Sequence, residues 1–251
     1  MSNSQEMLEA LDQQDLTRAD HYFQKALVED PDDLLLELAY YLEGIGFYPQ
    51  ARQIYEKLAP IFPEVNLNLA SIASEDGQIE EAFAYLEEIQ PNSDSYVSAL
   101  VLKADFYQME GLTDVARDKL LEALNYSDDP LLTFGLAELD SELGNDLEAI
   151  KGYAQLDNRD IYEQTGISTY QRIGTAYARL GKFESAIEFL EKALELEYED
   201  QTAFELASLY FDQEEYQKAV LYFKQLDTIS PDFEGYEYGY SQALHKEHQT
   251  E

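Results

Sequence analysis

Three histidines are the first residues to weigh for chemistry: His21, His245 and His248. His245 and His248 stand three apart, a spacing that puts two imidazoles on one helix face, where they could grip a metal ion. Such a site needs a third or fourth ligand of matching kind, and the chain has no cysteine and no other histidine nearby. The pair therefore reads as an exposed polar tail. His21 falls beside apolar helix positions and reads as a packing or surface residue. The 52 Asp and Glu residues put carboxylate pairs almost everywhere, so no single pair stands out as an acid–base dyad. GTAYARLGK lacks the glycine spacing of a phosphate-cradling loop, and EDPDD and NSDSY lack the pattern of a calcium loop. No nucleophile elbow occurs. The expectation is a protein that is not an enzyme and needs no cofactor or metal.

The charge narrows the partners further. Sixteen Lys and Arg against those carboxylates leave a net charge of −36. Such a surface repels phosphate backbones and anionic lipid, and attracts basic protein segments. The absence of cysteine fits a reducing compartment. The first residues, MSNSQEMLEALDQQD, lack a basic and apolar leader, and no run approaches the roughly 18 apolar residues of a membrane span. A soluble, cytoplasmic protein is expected, with no nucleic acid and no membrane insertion among its partners.

The elements that would carry a binding surface repeat along the chain. The clearest unit is YQRIGTAYARLGKFESAIEFLEKALEL, Tyr170 to Leu196. Tyr170, Ile173, Gly174 and Tyr177 share one helix face, Ala186, Leu190, Ala193 and Leu194 share another, and Gly181 marks the turn between them. Aligned on the small residue of the second helix, the units register at Ala19, Ala51, Ala82, Ala116, Ala149, Ala186 and Ala219, at intervals of 32, 31, 34, 33, 37 and 33 residues. Five residues earlier stand Gln14, Gly46, Gly77, Gly111, Gly144, Gly181 and Glu214. Four residues later stand Phe23, Tyr55, Leu86, Leu120, Tyr153, Leu190 and Phe223. Twelve residues earlier stand Met7, Ala39, Ala70, Ala104, Ala137, Gly174 and Ala207.

With Tyr170, Ile173, Gly174, Tyr177, Gly181, Phe183, Ala186, Leu190 and Ala193 at their fixed offsets, and Pro31, Pro63 and Pro231 closing three units, the chain resembles the tetratricopeptide repeat family. Its general look is similar to acidic cytosolic repeat proteins of low-GC Gram-positive bacteria. The resemblance implies an all-α fold: a right-handed superhelical solenoid of about seven helical hairpins plus a C-terminal capping helix. The repeats are expected at roughly 4–31, 32–63, 64–96, 97–130, 131–166, 167–200 and 201–232, with the last helix at 233–248 in a single array over 1–251. That last helix either caps the array or leads into further repeats. The long interval around DNRDIYEQTGIS, Asp157 to Ser168, reads as a lengthened helix or a loop, and Asp140 stands where other units place tyrosine.

The same resemblance implies that the first helices line the concave, working face. The stripe opposite their core positions comprises Glu37, Tyr40, Glu43, Asn68, Ser71, Glu75, Asp105, Gln108, Met109, Phe134, Glu138, Glu142, Gln171, Arg172, Arg179, Phe204, Ser208 and Phe211. Ser141, Thr175 and Asp212 lie along it too. Arg172 and Arg179 would hold a ligand carboxylate or, as favoured here, pair with Glu138, Glu142 or Asp212. Phe204 and Phe211 either anchor a partner or pack against the helix that follows. The family's carboxylate-clamp cochaperones need lysine and asparagine where this chain has Glu37, Tyr40, Asn68, Ser71, Leu102 and Asp105, which disfavours that role. The expected function is a non-enzymatic protein–protein interaction scaffold that binds an extended or helical, basic and apolar segment in an acidic groove. Its rivals are an assembly chaperone shielding an aggregation-prone client, and self-assembly through the array ends. A monomer or weak homodimer is expected.

Overall fold

The computed structural model describes residues 1–250, with side chains through His248. Among them the chain is entirely helical, without a strand. Two compact units divide it: unit 1 covers Met1–Phe106 and unit 2 begins at Tyr107. In unit 1, α1 (Asn3–Asp12) pairs with α2 (Leu16–Glu29) and α3 (Asp32–Gly44) with α4 (Tyr48–Leu58). A 3-10 turn at Pro63–Val65 leads to α5 (Asn66–Glu75), which pairs with α6 (Ile79–Glu87); the boundary falls within α7 (Tyr96–Met109). Unit 2 continues with α8 (Thr113–Ala123), α9 (Pro130–Glu142), α10 (Asp146–Tyr153), α11 (Asn158–Thr165), α12 (Thr169–Arg179) and α13 (Phe183–Leu196). It ends with α14 (Asp200–Asp212), α15 (Tyr216–Ile229) and α16 (Tyr236–Thr250).

No single helix here could hide its own apolar stripe, so each is held by its hairpin partner and the next hairpin. The small-residue columns make this possible. At the α12–α13 crossing, a Cβ added to Gly174 would stand 2.7 Å from Leu190 Cγ and 3.2 Å from the Ala186 carbonyl oxygen. The second-helix column from Phe23 to Phe223 is buried throughout, from 0% to 7% exposed, and forms the spine of the core clusters in each unit.

The hairpin turns show how two units manage without the usual glycine. Gly46, Gly77, Gly111, Gly144 and Gly181 all take positive φ, between 71° and 83°. Gln14 and Glu214 adopt the same left-handed backbone, at φ 58° and 62°. The turn geometry is thus kept without glycine, against the steric preference of a side chain.

The long interval is neither a lengthened helix nor a loop. α10 stops at Tyr153, and a separate helix, α11, starts where Asp157 accepts from the Arg159 and Asp160 amides. Gly166, at φ 72°, ends it. Asn158 Oδ1 then accepts from Ser168 Oγ at 3.0 Å, Thr169 Oγ1 at 3.1 Å and the Tyr170 amide at 3.3 Å, tying α11 to the start of α12. Three short-range signals in the sequence (an N-cap aspartate, a C-cap glycine, a capping serine) break what would otherwise be one long helix.

Asp140 also finds its explanation. Its carboxylate, 4% exposed, sits 2.7 Å from Arg117 Nε and accepts from Asn145 Nδ2 at 3.1 Å. An ion pair between α8 and α9, buried at its carboxylate end, stands where Tyr107, Tyr177 and Tyr210 lie in three other units. At the C-terminal end α16 packs on α15 and α14, with Tyr240 6.1 Å from the Phe223 ring and a Cβ on Gly239 only 2.8 Å from Phe223 Cζ.

Candidate interaction surface on the first helices

The small residue of each first helix fixes which neighbours face outward. Positions two before it, one after it, and four or five after it point away from the hairpin partner. These columns hold Glu37, Tyr40 and Glu43 on α3; Asn68, Ser71 and Glu75 on α5; Glu138, Ser141 and Glu142 on α9; Arg172, Thr175 and Arg179 on α12. The position three before it shares the small residue's face. It carries Ser4, Phe134, Gln171 and Phe204.

That offset corrects three of the expected surface residues. Phe134 is 7% exposed and lies in the core with Tyr153, Ile161 and Ile173, its ring 6.0 Å from that of Tyr153. Gln171 is 5% exposed and serves as floor, donating to Thr175 Oγ1 at 3.1 Å while its own oxygen accepts from Arg172. Phe204 is half-buried against Phe223 and Phe233, at 6.2 and 5.7 Å between ring centres. Phe211 packs edge-on against Tyr216 at 5.5 Å, so its cover comes from the following helix of the same hairpin. Ser208 is spent on its own helix, donating to the Phe204 carbonyl.

In unit 1 the surface centres on Glu43. Its Oε2 accepts from the Tyr55 hydroxyl at 2.5 Å and from Asn68 Nδ2 at 2.8 Å. Tyr55 is fully buried, and burial, then Glu43, pushes its phenol far above the usual tyrosine range. Tyr40 stays 46% exposed, with its ring centre 5.8 Å from that of Tyr55. Glu37 and Glu75 are exposed. Asp105 is exposed on the unit 1 part of α7, and Met109 on the part that belongs to unit 2.

In unit 2 the counterpart carboxylate is Glu138. It accepts from the Tyr153 hydroxyl and from Arg172 Nε, the latter at 2.9 Å. Burial and then Glu138 push the Tyr153 phenol upward. Glu142 accepts from Gln108 Nε2 at 2.7 Å and Thr113 Oγ1 at 2.9 Å. Arg179 pairs with Asp146 at 2.5 Å and donates to Ser141 Oγ at 2.7 Å. Both arginines are therefore paired internally, as favoured, but Arg179 chooses Asp146, which the stripe did not include. An open hollow of about 370 Å³ lies over Glu138, Glu142, Arg172 and Arg179.

Tyr55 and Tyr153 are the surface-determining residues that the stripe alone misses. Both occupy the second-helix core column, where the other units carry Phe or Leu. The hydroxyl is the signal: a buried phenol needs an acceptor, and here it finds a carboxylate on the outward face. Among the described residues no group of three or more His, Asp or Glu is placed to hold a metal ion, and no helix is long and apolar enough to cross a membrane.

Comparison with known proteins follows this geometry. Tetratricopeptide-repeat profiles match residues 6–66, and again 63–90, 167–200 and 201–233. A profile described as YpiA-like, tetratricopeptide repeats, matches 108–161, the segment holding the Arg117–Asp140 pair and the start of α11. The TPR repeat-containing protein YpiA of Bacillus subtilis (strain 168) is 30% identical over 181 residues, 70% of this chain. The match spans only 42% of that relative's length. Among solved structures, MamA (41-end) of Desulfovibrio magneticus RS-1 superposes with a TM-score of 0.57 at 16% identity, covering 69% of this chain and 97% of its own. The signal transduction ATPase of Pyrococcus horikoshii with a tetratricopeptide repeat sensor gives 0.59 at 18% identity, over 93% of this chain and 45% of its own. These structural likenesses concern the fold.

Proposed function

Because this chain belongs to the tetratricopeptide repeat family, we propose that it is a non-enzymatic interaction scaffold whose first-helix faces hold a basic segment of another protein. Repeats of this family build surfaces for protein–protein contact, and the outward columns here are where such a surface is richest in fixed polar groups. The observation that carries the reading is on α3 and α5. The Glu43 carboxylate is held in place by two neutral donors, Glu37 and Glu75 are exposed, and α1, α3 and α5 contain no lysine or arginine. A face of one sign, on a chain of net charge −36, steers and retains a partner of the opposite sign. Apolar anchoring on this face of unit 1 is supplied by Tyr40, exposed at 46%.

The test is a pull-down from a native cell extract at low and high salt, with wild type and with Glu37→Lys plus Glu75→Lys. Both residues are exposed and lie outside the hydrogen-bond network around Glu43, so the fold should survive the exchange. Partners captured by the wild type at low salt should be lost in the variant and weakened by salt. A partner insensitive to both changes would remove this face as the binding surface.

A further inference from the structure

The surface of unit 1 contains one place better built for a cation than the rest. Glu43 is anchored: Tyr55 and Asn68 both bond to Oε2, so the side chain cannot turn away without leaving a buried phenol unpaired. Its other oxygen, Oε1, accepts nothing among the described residues. The donors are neutral, so the carboxylate keeps its full charge. Tyr40, one helical turn earlier on α3, offers an exposed aromatic face beside it. Tyr40 and Glu43 meet the same neighbour: the Tyr40 ring centre lies 5.8 Å from that of Tyr55, whose hydroxyl donates to Glu43.

The other hydrogen-bonded carboxylates of the outward columns differ. Glu138 already holds a guanidinium, and Glu142 and Glu205 each have both oxygens occupied. We propose that Tyr40 and Glu43 form a subsite for one lysine or arginine side chain of the bound protein, the head on Glu43 Oε1 and the stem across the Tyr40 ring. This rests on the scaffold reading above and specifies it. An exposed ring supplies cation–π attraction and covers the methylene stem, while the fixed oxygen supplies a charge-assisted hydrogen bond whose ordering cost is already met by the fold.

The experiment titrates a fluorescent, blocked amphipathic peptide of lysine and leucine into the full chain, with its glutamate-for-lysine counterpart as reference. Four proteins are compared: wild type, Tyr40→Leu, Glu43→Gln and Glu75→Gln, each checked for unchanged helical content and melting. In Glu43→Gln the new amide oxygen can still accept from Tyr55 and Asn68, so that variant tests charge and not folding. Glu75→Gln removes the same charge from the same unit at an exposed place without a ring. The expected result is a loss of about tenfold in affinity for Tyr40→Leu and for Glu43→Gln, and less than about twofold for Glu75→Gln. Equal losses at Glu43 and Glu75, or none at Tyr40, would overturn the subsite while leaving the acidic scaffold standing. A wild type that binds neither peptide at low salt would overturn the scaffold reading and the subsite with it.

Discussion

Two arginines at the same repeat position show how differently the two units use one residue. Arg52 in unit 1 and Arg117 in unit 2 each follow the second-helix alanine, Ala51 or Ala116. Arg117, itself only half-buried, meets one buried carboxylate, Asp140, at 2.7 Å and 4% exposed. Arg52 finds Ala73 at the place equivalent to Asp140, and although its own side chain is no more exposed than that of Arg117, 20% against 27%, it pairs with carboxylates that water reaches. It contacts Glu56 at 2.9 Å, Glu81 at 2.6 Å and Asp76 at 3.7 Å, all of them 40% exposed or more. The difference lies in the neighbour and not in the arginine: a repeat column fixes where a side chain starts, and the next hairpin decides whether the carboxylate it meets is buried or solvated.

The largest expected effect breaks this comparison at its buried end. Arg117→Ala leaves Asp140 buried with Asn145 as its remaining partner, and should cost about 2–3 kcal/mol, between the losses of an exposed and of a fully buried pair. Arg52→Ala frees carboxylates that water can reach and should cost about 1 kcal/mol or less. Denaturant midpoints would rank them, and hydrogen exchange in α9 should report the first loss but not the second. Equal effects would mean that Asp140 is solvated in solution and that the two arginines are equivalent after all.

The same contrast explains what can be read from residues alone. The repeat register, the hairpin pairs and the close-packed columns follow from spacing, because a helix face is set by local geometry. Asp140 is visible as a departure from tyrosine, but its partner sits 23 residues earlier on another helix, and no local pattern joins the two. Phe134 and Gln171 are misplaced on the stripe by a single step of the helical wheel, since a residue three before the small position turns with it towards the core. α11 is hidden differently. Its caps, Asp157 and Gly166, stand in plain view, yet the extra length fits a longer helix equally well.

A second comparison concerns the two buried phenols. Tyr55→Phe removes one donor from Glu43, which keeps Asn68. Tyr153→Phe removes one from Glu138, which keeps Arg172. Each change should cost about 0.5–1.5 kcal/mol, with Tyr55→Phe the more damaging because a neutral amide replaces less of the lost stabilisation than a guanidinium does. Paired melts in low salt would sharpen this, and the reverse order would show that charge pairing in unit 2 adds little.

The seams between second and first helices differ in where the charge sits. In unit 1, Asp30 at the end of α2 accepts from Ser4 amide and hydroxyl at 2.7 and 2.6 Å, and from Asn3 amide and side chain at 3.2 and 3.1 Å. In unit 2 the carboxylate is on the first helix, where Asp200 accepts from Ser230 Oγ at 2.6 Å. Burial alone would raise the Asp30 carboxyl, but the bonds from Ser4 and Asn3 outweigh it and hold the group below its ordinary value. A carboxyl lowered by folding stabilises the folded state above its unfolded pKa of about 4, and this contribution is lost as pH falls through the lower folded value. Asp30→Asn should therefore cost about 1 kcal/mol near neutrality, and the difference from wild type should shrink below about pH 4. A gap constant with pH would assign the effect to packing.

The smallest expected change is also the one that should stabilise. Gln14 and Glu214 occupy the left-handed turn position that glycine holds in the five other hairpins, one in each unit. A side chain there costs roughly 1–2 kcal/mol of backbone strain, from which the extra freedom of glycine in the unfolded chain subtracts about 0.5–1 kcal/mol. Gln14→Gly and Glu214→Gly should each gain a few tenths to about 1 kcal/mol. The units again differ in one respect. Glu214→Gly also removes a negative charge next to Glu215, which already has Lys218 at 2.7 Å, so its gain should exceed that of Gln14→Gly at low salt and match it at high salt. Melting curves of the two variants at both salt levels would separate strain, common to both turns, from charge, which only the second turn carries. Stabilisation absent from both would show that the turns relax at no cost, and that glycine elsewhere in the array is kept for a reason other than its φ.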